Sequence, residues 1–508
     1  MGEPVVLAVD LGTTATKVRA IDARGATHAA ATAEHALDEP APGAATQDPD
    51  AVLRATLGAM QEAAEAAADA GAEVAGLAFS SAMHSVVGLD GDGEPLTPVL
   101  TWADTRATEQ AERLRERPEA LELHRRTGTP VHPMAPLAKL VWLRECEPEL
   151  FSRVRRWVGI KELLLARLTG ACVMDHSVAS GTGLMDLERL DWDDEALGLA
   201  GVERASLPEL VPTTDVLEGL SAEGARAAGL PRETRVVVGA GDGPLANLGL
   251  GVVRPGVAGC SIGTSGALRV TVERPGIDPE GRLFCYALVP GRWVAGGALN
   301  SGGVVLRWAG EALAPDLGDE PAPALLELAA DAPAGSGGLL MLPYLFGERA
   351  PQWSALPRGA YVGLTHHHRR EHLVRAALEG VCLQMALVLA SLRDAGNDVH
   401  EVRATGGFAR SPLWKQMLTD ALGLPVGFAA DNEGSALGAA LLGMEALGLV
   451  ESIDVASELV EIREVLRPAE PDAAVYEALG PVFAGLSDAL APAFAALRDR
   501  ESRPPAAE

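Results

Sequence analysis

Val5-Val6-Leu7-Ala8-Val9-Asp10-Leu11-Gly12-Thr13-Thr14-Ala15-Thr16-Lys17-Val18-Arg19-Ala20-Ile21-Asp22 is the stretch from which the fold is read. The apolar run Val5 to Val9 is short and rich in β-branched side chains, so it reads as a strand buried on both faces. It stops at a carboxylate, a glycine and two threonines. A second, alternating run from Lys17 to Ile21 returns and ends in an Asp22-Ala23-Arg24-Gly25 turn. The pair is a hairpin with a small, hydroxyl-bearing tip. Beyond it Asp48-Pro49 opens a helix with Leu53, Leu57, Met60 and Ala64 on one face, and Val74 to Phe79 reads as another strand. Strand alternating with helix argues for an α/β lobe.

A second hairpin of the same kind lies far downstream. Val257 to Ile262 and Ala267 to Val270 flank Gly263-Thr264-Ser265-Gly266, and the likeness to the first hairpin suggests a duplicated architecture. Helical faces follow at Leu378, Val381, Cys382, Met385 and Leu389, and at Trp414, Met417, Leu418, Ala421 and Leu422. Ser411-Pro412 starts the latter helix and Gly423 stops it. A chain of 508 residues exceeds one ordinary core. The expected division is therefore an N-terminal lobe over 1–253 and a C-terminal lobe over 254–508.

Composition restricts the partners. With 42 basic against 70 acidic residues the net charge is −28, which disfavours nucleic acid and anionic membrane surfaces. Lysine occurs only at Lys17, Lys139, Lys161 and Lys415. Five scattered cysteines without a C-x-x-C pair suggest neither zinc nor a disulfide framework and fit a reducing, cytoplasmic setting. No secretory signal is read at the N-terminus, and no apolar run is expected to approach the length of a membrane span. A homodimer stays open.

Several loops carry groups suited to phosphate and hydroxyl chemistry. Gly12 lets the backbone approach a ligand, while N–H groups and the hydroxyls of Thr13, Thr14 and Thr16, followed by Lys17, can surround phosphate oxygens. Asp10 at the strand end can hold Mg²⁺ directly or through water. Gly263-Thr264 offers a similar cradle, and Gly302 and Thr405-Gly406-Gly407 permit close approach of a base or phosphate. Asp242, ending an apolar strand among glycines, reads either as a general base or as a turn-forming residue. Met83-His84 and Trp102 with Asp104 and Arg106 follow strands and supply an aromatic wall and groups that read sugar hydroxyls. The plainer readings are a satisfied turn histidine and a helix N-cap. His366-His367-His368 reads as a solvated loop, because partners at ligand spacing are absent.

Two longer motifs are more specific. Met134-Ala135-Pro136-Leu137-Ala138-Lys139-Leu140-Val141-Trp142-Leu143, and Gly359 to Leu364 continuing through His372 to Glu379, resemble the two signatures of the FGGY carbohydrate kinase family, and the resemblance runs from about Val5 to at least Leu449. Within the family the chain is most like the gluconokinase branch, through Ser80 to Ser85, Thr101 to Asp104, Gly159 to Glu162, Asp242-Gly243 with Asn247 to Gly249, Leu283 to Tyr286 and Gly347 to Pro351. The resemblance implies an α/β fold of two RNase H-like (actin-like ATPase) lobes with a cleft between them. It implies ATP and Mg²⁺ as cofactors and a sugar acid, gluconate, as the small-molecule substrate. Asp242 would be the base, Thr13, Thr14, Gly263 and Thr264 the phosphate contacts, Gly302, Gly406 and Gly407 further nucleotide contacts, and His84 and Asp104 sugar contacts.

Glycerol kinases and xylulokinases carry a polar residue after the base, whereas this chain has Gly243-Pro244, which weakens a glycerol-like polyol or xylulose-like ketose as substrate. An actin-like nucleotide-gated binding protein is the non-enzymatic alternative. For the carboxylate of a sugar acid the expected reader is Lys161, a compact ammonium among arginines, with Arg106 as its rival and a surface pair with Glu162 or Glu149 as the plain reading.

Overall fold

The computed structural model describes residues 2–276, 278–318, 321–430 and 434–501, with side chains described as far as residue 498. The chain divides into two compact units. The first comprises Met1–Arg254, Thr271–Ala295 and Glu433–Val460, and the second Pro255–Val270, Gly296–Asn432 and Glu461–Glu508. Two stretches that a linear division at 253/254 gives to the C-terminal lobe thus belong with the first unit.

The first unit is built on a six-stranded sheet. Its strands are β1 (Glu3–Leu11), β2 (Ala15–Asp22), β3 (Thr27–Glu34), β4 (Ala72–Ser81), β5 (Val216–Leu217) and β6 (Arg235–Gly241), in the order β5-β6-β4-β1-β2-β3. β1 pairs antiparallel with β2 and parallel with β4, and β4 pairs parallel with β6. Successive side chains of a strand point to opposite faces, and the composition of β1 follows from that. Val5, Leu7 and Val9 pack in one buried cluster with Val52, Leu53 and Met60 of the helix Pro49–Asp69, while Val6 and Ala8 join another with Leu245, Leu248 and Ala439 to Leu442. Both faces are covered, hence the unbroken apolar run.

The helix Pro49–Asp69 begins where expected, with the Asp48 carboxylate accepting from the N–H groups of Asp50 and Ala51. The helix Gly434–Ala446 comes close to the first unit's other elements because it is poor in side chain. A Cβ on Gly438 would fall 2.0 Å from the carbonyl oxygen of Leu245, and one on Gly443 2.6 Å from the Ala78 Cβ.

The second sheet includes β7 (Val257–Ile262), β8 (Gly266–Val272), β9 (Arg292–Leu299), β10 (Glu401–Thr405), β11 (Val426–Ala429) and β12 (Ile462–Leu466), adjacent in the order β9-β8-β7-β10-β11-β12. These strands belong to the second unit apart from Thr271–Val272 and Arg292–Ala295, which fall in the first. β7 pairs antiparallel with β8 and parallel with β10, which pairs parallel with β11. The order β11-β10-β7-β8-β9 repeats β6-β4-β1-β2-β3, so the duplication suggested by two hairpins holds at the level of five strands.

The helix Arg370–Asp394 runs through this unit's core, and Pro412–Leu422 starts at the Ser411 cap and stops at Gly423 in the left-handed region. One expectation needs correction. Arg370–Asp394 and Glu470–Arg498 are both long and apolar enough to cross a membrane by length and composition, because windows broken by one or two charges escape a search for uninterrupted apolar runs. The first of these windows is 78% buried, which marks a core helix, and the second 17%.

Candidate functional site

In the first unit the expected site residues collect where the parallel strands β6, β4 and β1 end. Gly241 lies opposite Ser81, and Asp10 opposite Ser80. β6 and β1 flank β4, so the strand ends bearing Asp242 and Asp10 stand two strand spacings apart, about 10 Å at ordinary sheet geometry. Asp242 opens the helix Asp242–Leu248, and its Oδ1 accepts the N–H of Gly243 at 2.7 Å. The Gly241 N–H before it donates to Ser177 Oγ at 3.2 Å.

Asp10 is held from both sides. Ser80 Oγ donates to Oδ1 at 2.7 Å and Ser435 Oγ to Oδ2 at 2.8 Å, leaving further lone pairs on both oxygens. Gly12 closes the hairpin by donating to Ala15 O at 3.0 Å, and a Cβ there would lie 2.8 Å from that oxygen. Thr13 and Thr14 form the tip. Trp102 Nε1 donates to Thr13 Oγ1 at 2.9 Å and Gln47 Nε2 to the Thr13 carbonyl at 2.7 Å, so the expected sugar wall and the phosphate hairpin share a hydrogen bond. Lys17 is exposed and opposite Asp10 across β1 and β2. Thr16 departs from expectation: it is buried and its hydroxyl bonds Thr56 at 2.8 Å, so it faces the helix behind the sheet.

Met83 and His84 follow β4. A Cβ on Gly241 would meet Met83 Sδ at 2.7 Å, and one on Gly181 would meet Met83 Cε at 2.6 Å, so these glycines make room for the side chain beside Asp242. His84 adopts φ 67°, and its Nδ1 lies 2.6 Å from the Gly181 carbonyl. That oxygen can only accept, so Nδ1 carries a proton. The ring stands edge-on to Tyr286 at 5.8 Å. Asp104 is not a helix cap. It is buried, accepting the Ala45 and Arg106 N–H groups and the Arg106 guanidinium at 2.6 Å, and that guanidinium lies 4.4 Å over the Trp142 ring. Arg106 is thereby committed to Asp104 and Trp142.

Lys161 does not occupy the place expected for a carboxylate reader, nor is it a surface lysine paired with Glu162 or Glu149. It is 1% exposed, its ammonium bonded to the fully buried Asp175. Asp175 caps the helix His176–Ser180 through the Val178 N–H. Beside this pair burial pushes the Glu162 carboxyl up to about 7, against the pull of Lys161.

Within the second unit Gly263 and Thr264 are exposed at the hairpin tip, and a Cβ on Gly263 would meet nothing within 4 Å. Gly302 is tight: a Cβ would lie 2.7 Å from the Ser265 carbonyl and 2.8 Å from that of Thr264. Gly406, at φ 120°, rests its Cα on β7, with Ile262 O 2.2 Å from any added Cβ, whereas at Gly407 the space is open. The histidine run 366–368 is mostly exposed, and among the described residues no group of three or more His, Cys, Asp or Glu is arranged to hold a metal.

Residues 5–249 match the FGGY family of carbohydrate kinases, N-terminal domain, and residues 258–447 match the C-terminal domain of the same family. The chain belongs to the FGGY family of carbohydrate kinases. An FGGY kinase catalyses phosphoryl transfer to a small-molecule sugar with ATP implied as donor, so the binding-protein alternative gives way to the enzyme. The chain is 40% identical over 490 residues to the gluconokinase of Bacillus subtilis (strain 168), 95% of each protein being covered. Among solved structures it is similar to a gluconate kinase from Lactobacillus acidophilus, TM-score 0.92 and 34% identity, covering 97% of this chain and 99% of that one. A ligand-bound xylulose kinase from Lactobacillus acidophilus gives the same TM-score and identity over 97% and 100%.

Sequence reasoning missed Ser435, Ser177 and the setting of Lys139. Ser435 lies 425 positions from the carboxylate it holds. Gly434 and Gly438, one helical turn apart, were the available signal, since small residues on one face let a helix come close to its neighbour.

Proposed function

We propose that this FGGY kinase transfers the γ-phosphoryl group of ATP to the terminal hydroxyl of D-gluconate, giving 6-phosphogluconate and ADP. The observation that carries the reading is the pair of carboxylates, Asp242 and Asp10, at the ends of the two strands that flank β4, with the Gly12-Thr13-Thr14 tip beside Asp10. Asp242 accepts the hydroxyl proton as that oxygen attacks the γ-phosphorus in line. Met83, His84, Trp102 and Asp104 orient the sugar, Asp104 through Arg106 and the Ala45 loop. In the first unit the tip N–H groups, the hydroxyls of Thr13 and Thr14, and Lys17 offset phosphate charge. Gly263, Thr264, Gly302, Gly406 and Gly407 serve the nucleotide from the second unit, so the lobe roles are sugar for the first and nucleotide for the second.

Mg²⁺ fits the donor set, because that ion is ordinarily held by one or two carboxylates together with substrate phosphates and water. Asp10 is the residue that would hold it; when bound, the ion supplies charge to the phosphates. Gluconate is preferred over xylulose on the 40% identity to a gluconokinase, since overall fold does not separate the two. The setting is the cytoplasm, and sedimentation decides between a monomer and a homodimer.

The test is ADP release across sugar acids, ketoses and polyols, run on wild type and Asp242→Asn. The variant keeps the shape and loses the proton acceptor, so turnover on gluconate falls by roughly two to four orders of magnitude. Near-normal turnover removes Asp242 from the base role, and a better rate on a ketose replaces the substrate.

A further inference from the structure

Lys139 has none of its surface exposed, yet it makes no ion pair among the described residues. Its ammonium donates three hydrogen bonds to backbone carbonyls: His84 at 2.7 Å, Thr101 at 2.6 Å and Met134 at 2.8 Å. All three N–H bonds of the group are used. A charge buried against neutral acceptors is held at a cost that methionine, of similar length, would avoid. That cost shows in the amine itself, which burial pushes down to about 7 against the pull of Asp104.

The three carbonyls are not scattered. His84 belongs to the loop after β4, and Thr101 immediately precedes Trp102 and lies three residues before Asp104. Met134 precedes the helix Pro136–Cys146 that carries Lys139 itself. His84 sits in the left-handed region, where a non-glycine residue needs outside support. It receives that support at both ends, from Lys139 on its carbonyl and from the Gly181 carbonyl on its ring.

We propose that Lys139 is a positioning residue for the sugar: one ammonium ties the His84 loop and the Thr101–Asp104 loop to a single helix and so fixes the spacing between their side chains. The inference rests on the proposal that those two loops bind the sugar. Lys139 touches no substrate; it acts through the backbone of the residues that do.

The test separates KM for gluconate from KM for ATP. Lys139→Met keeps the buried stem and removes the three donors, and the expected result is a gluconate KM raised about 30-fold or more with the ATP KM within about threefold. A structural role alone would lower the active fraction, and hence apparent kcat, while leaving both KM values in place. Lys139→Arg is measured alongside: it keeps a cation whose planar fork cannot reach three converging carbonyls, so its gluconate KM rises less than that of Lys139→Met. His84→Asn, which tolerates the same backbone region, tests the underlying site. If His84→Asn raises the gluconate KM and neither Lys139 variant does, the positioning role is overturned and the sugar site stands. If none of the three moves it, the sugar site itself is overturned.

Discussion

Gly263→Val isolates the nucleotide reading from any effect on folding. At this position the backbone is outside the left-handed region, and an added Cβ has no heavy atom within 4 Å, so the fold should accept the side chain. The unfolding free energy should change by no more than about 0.5 kcal/mol, as for ordinary surface substitutions. If phosphate oxygens approach the hairpin N–H groups, the isopropyl group takes that space. Loss of one hydrogen bond to a charged group, about 1.5 to 3 kcal/mol, corresponds to a rise of roughly 10- to 100-fold in the ATP KM. The gluconate KM should move by less than about threefold. Gly302→Ala is the contrast, since its methyl would lie 2.7 Å from the Ser265 carbonyl and must displace the hairpin itself. There the ATP KM rises while the stability falls, the latter by about 1 to 3 kcal/mol. Initial-rate kinetics with each substrate varied, beside urea melts of both variants, gives all the numbers. An unchanged ATP KM in a fully folded Gly263→Val protein would refute the reasoning.

Three further perturbations concern groups that are buried or half-buried. Glu162 is held near 7 in the fold and returns to about 4.5 on unfolding, so between those values the folded state binds the extra proton and stability falls as pH rises, by about 3 kcal/mol in all; Glu162→Gln should flatten that part of a pH series of urea melts. Lys161→Met leaves Asp175 buried without its cation and should cost about 3 to 5 kcal/mol of stability, while the ratio of gluconate to neutral-polyol kcat/KM stays at its wild-type value; a ratio that drops at least tenfold would restore Lys161 as the carboxylate reader. Ser435→Ala removes one of the two hydroxyls on Asp10, worth about 1.5 to 3 kcal/mol of orientation, and should shift the Mg²⁺ concentration for half-maximal rate upward by tenfold or more; an unshifted Mg²⁺ titration separates Asp10 from the metal.

The fold was legible wherever local chemistry and tertiary packing agree. The unbroken apolar run Val5–Val9, the Asp48 and Ser411 caps and the Gly423 stop each act within a few residues, and each stands where the sequence indicates. The loops bearing Asp242, His84 and Asp104 were legible as candidates because small residues and strand ends announce them. Their partners were not. Nothing near Lys161 signals Asp175, nothing near Asp10 signals Ser435, and the three carbonyls on Lys139 have no side-chain signature at all. The long helix Glu470–Glu501 runs through Pro481 and Pro492, where sequence rules would end it.

The return of Glu433–Val460 to the first unit has a consequence for how the protein is made. Val6 and Ala8 of β1 are covered by the helix Gly434–Ala446, which leaves the ribosome after the second unit's hairpin and core helix. At roughly 5 to 20 residues per second the interval between residues 254 and 460 lasts roughly 10 to 40 s. For that time one face of the first sheet lacks its lid, and Asp10 lacks one of its two serines. The N-terminal lobe is finished late, so a nascent chain stalled short of residue 434 presents a greasy sheet to whatever chaperone meets it first.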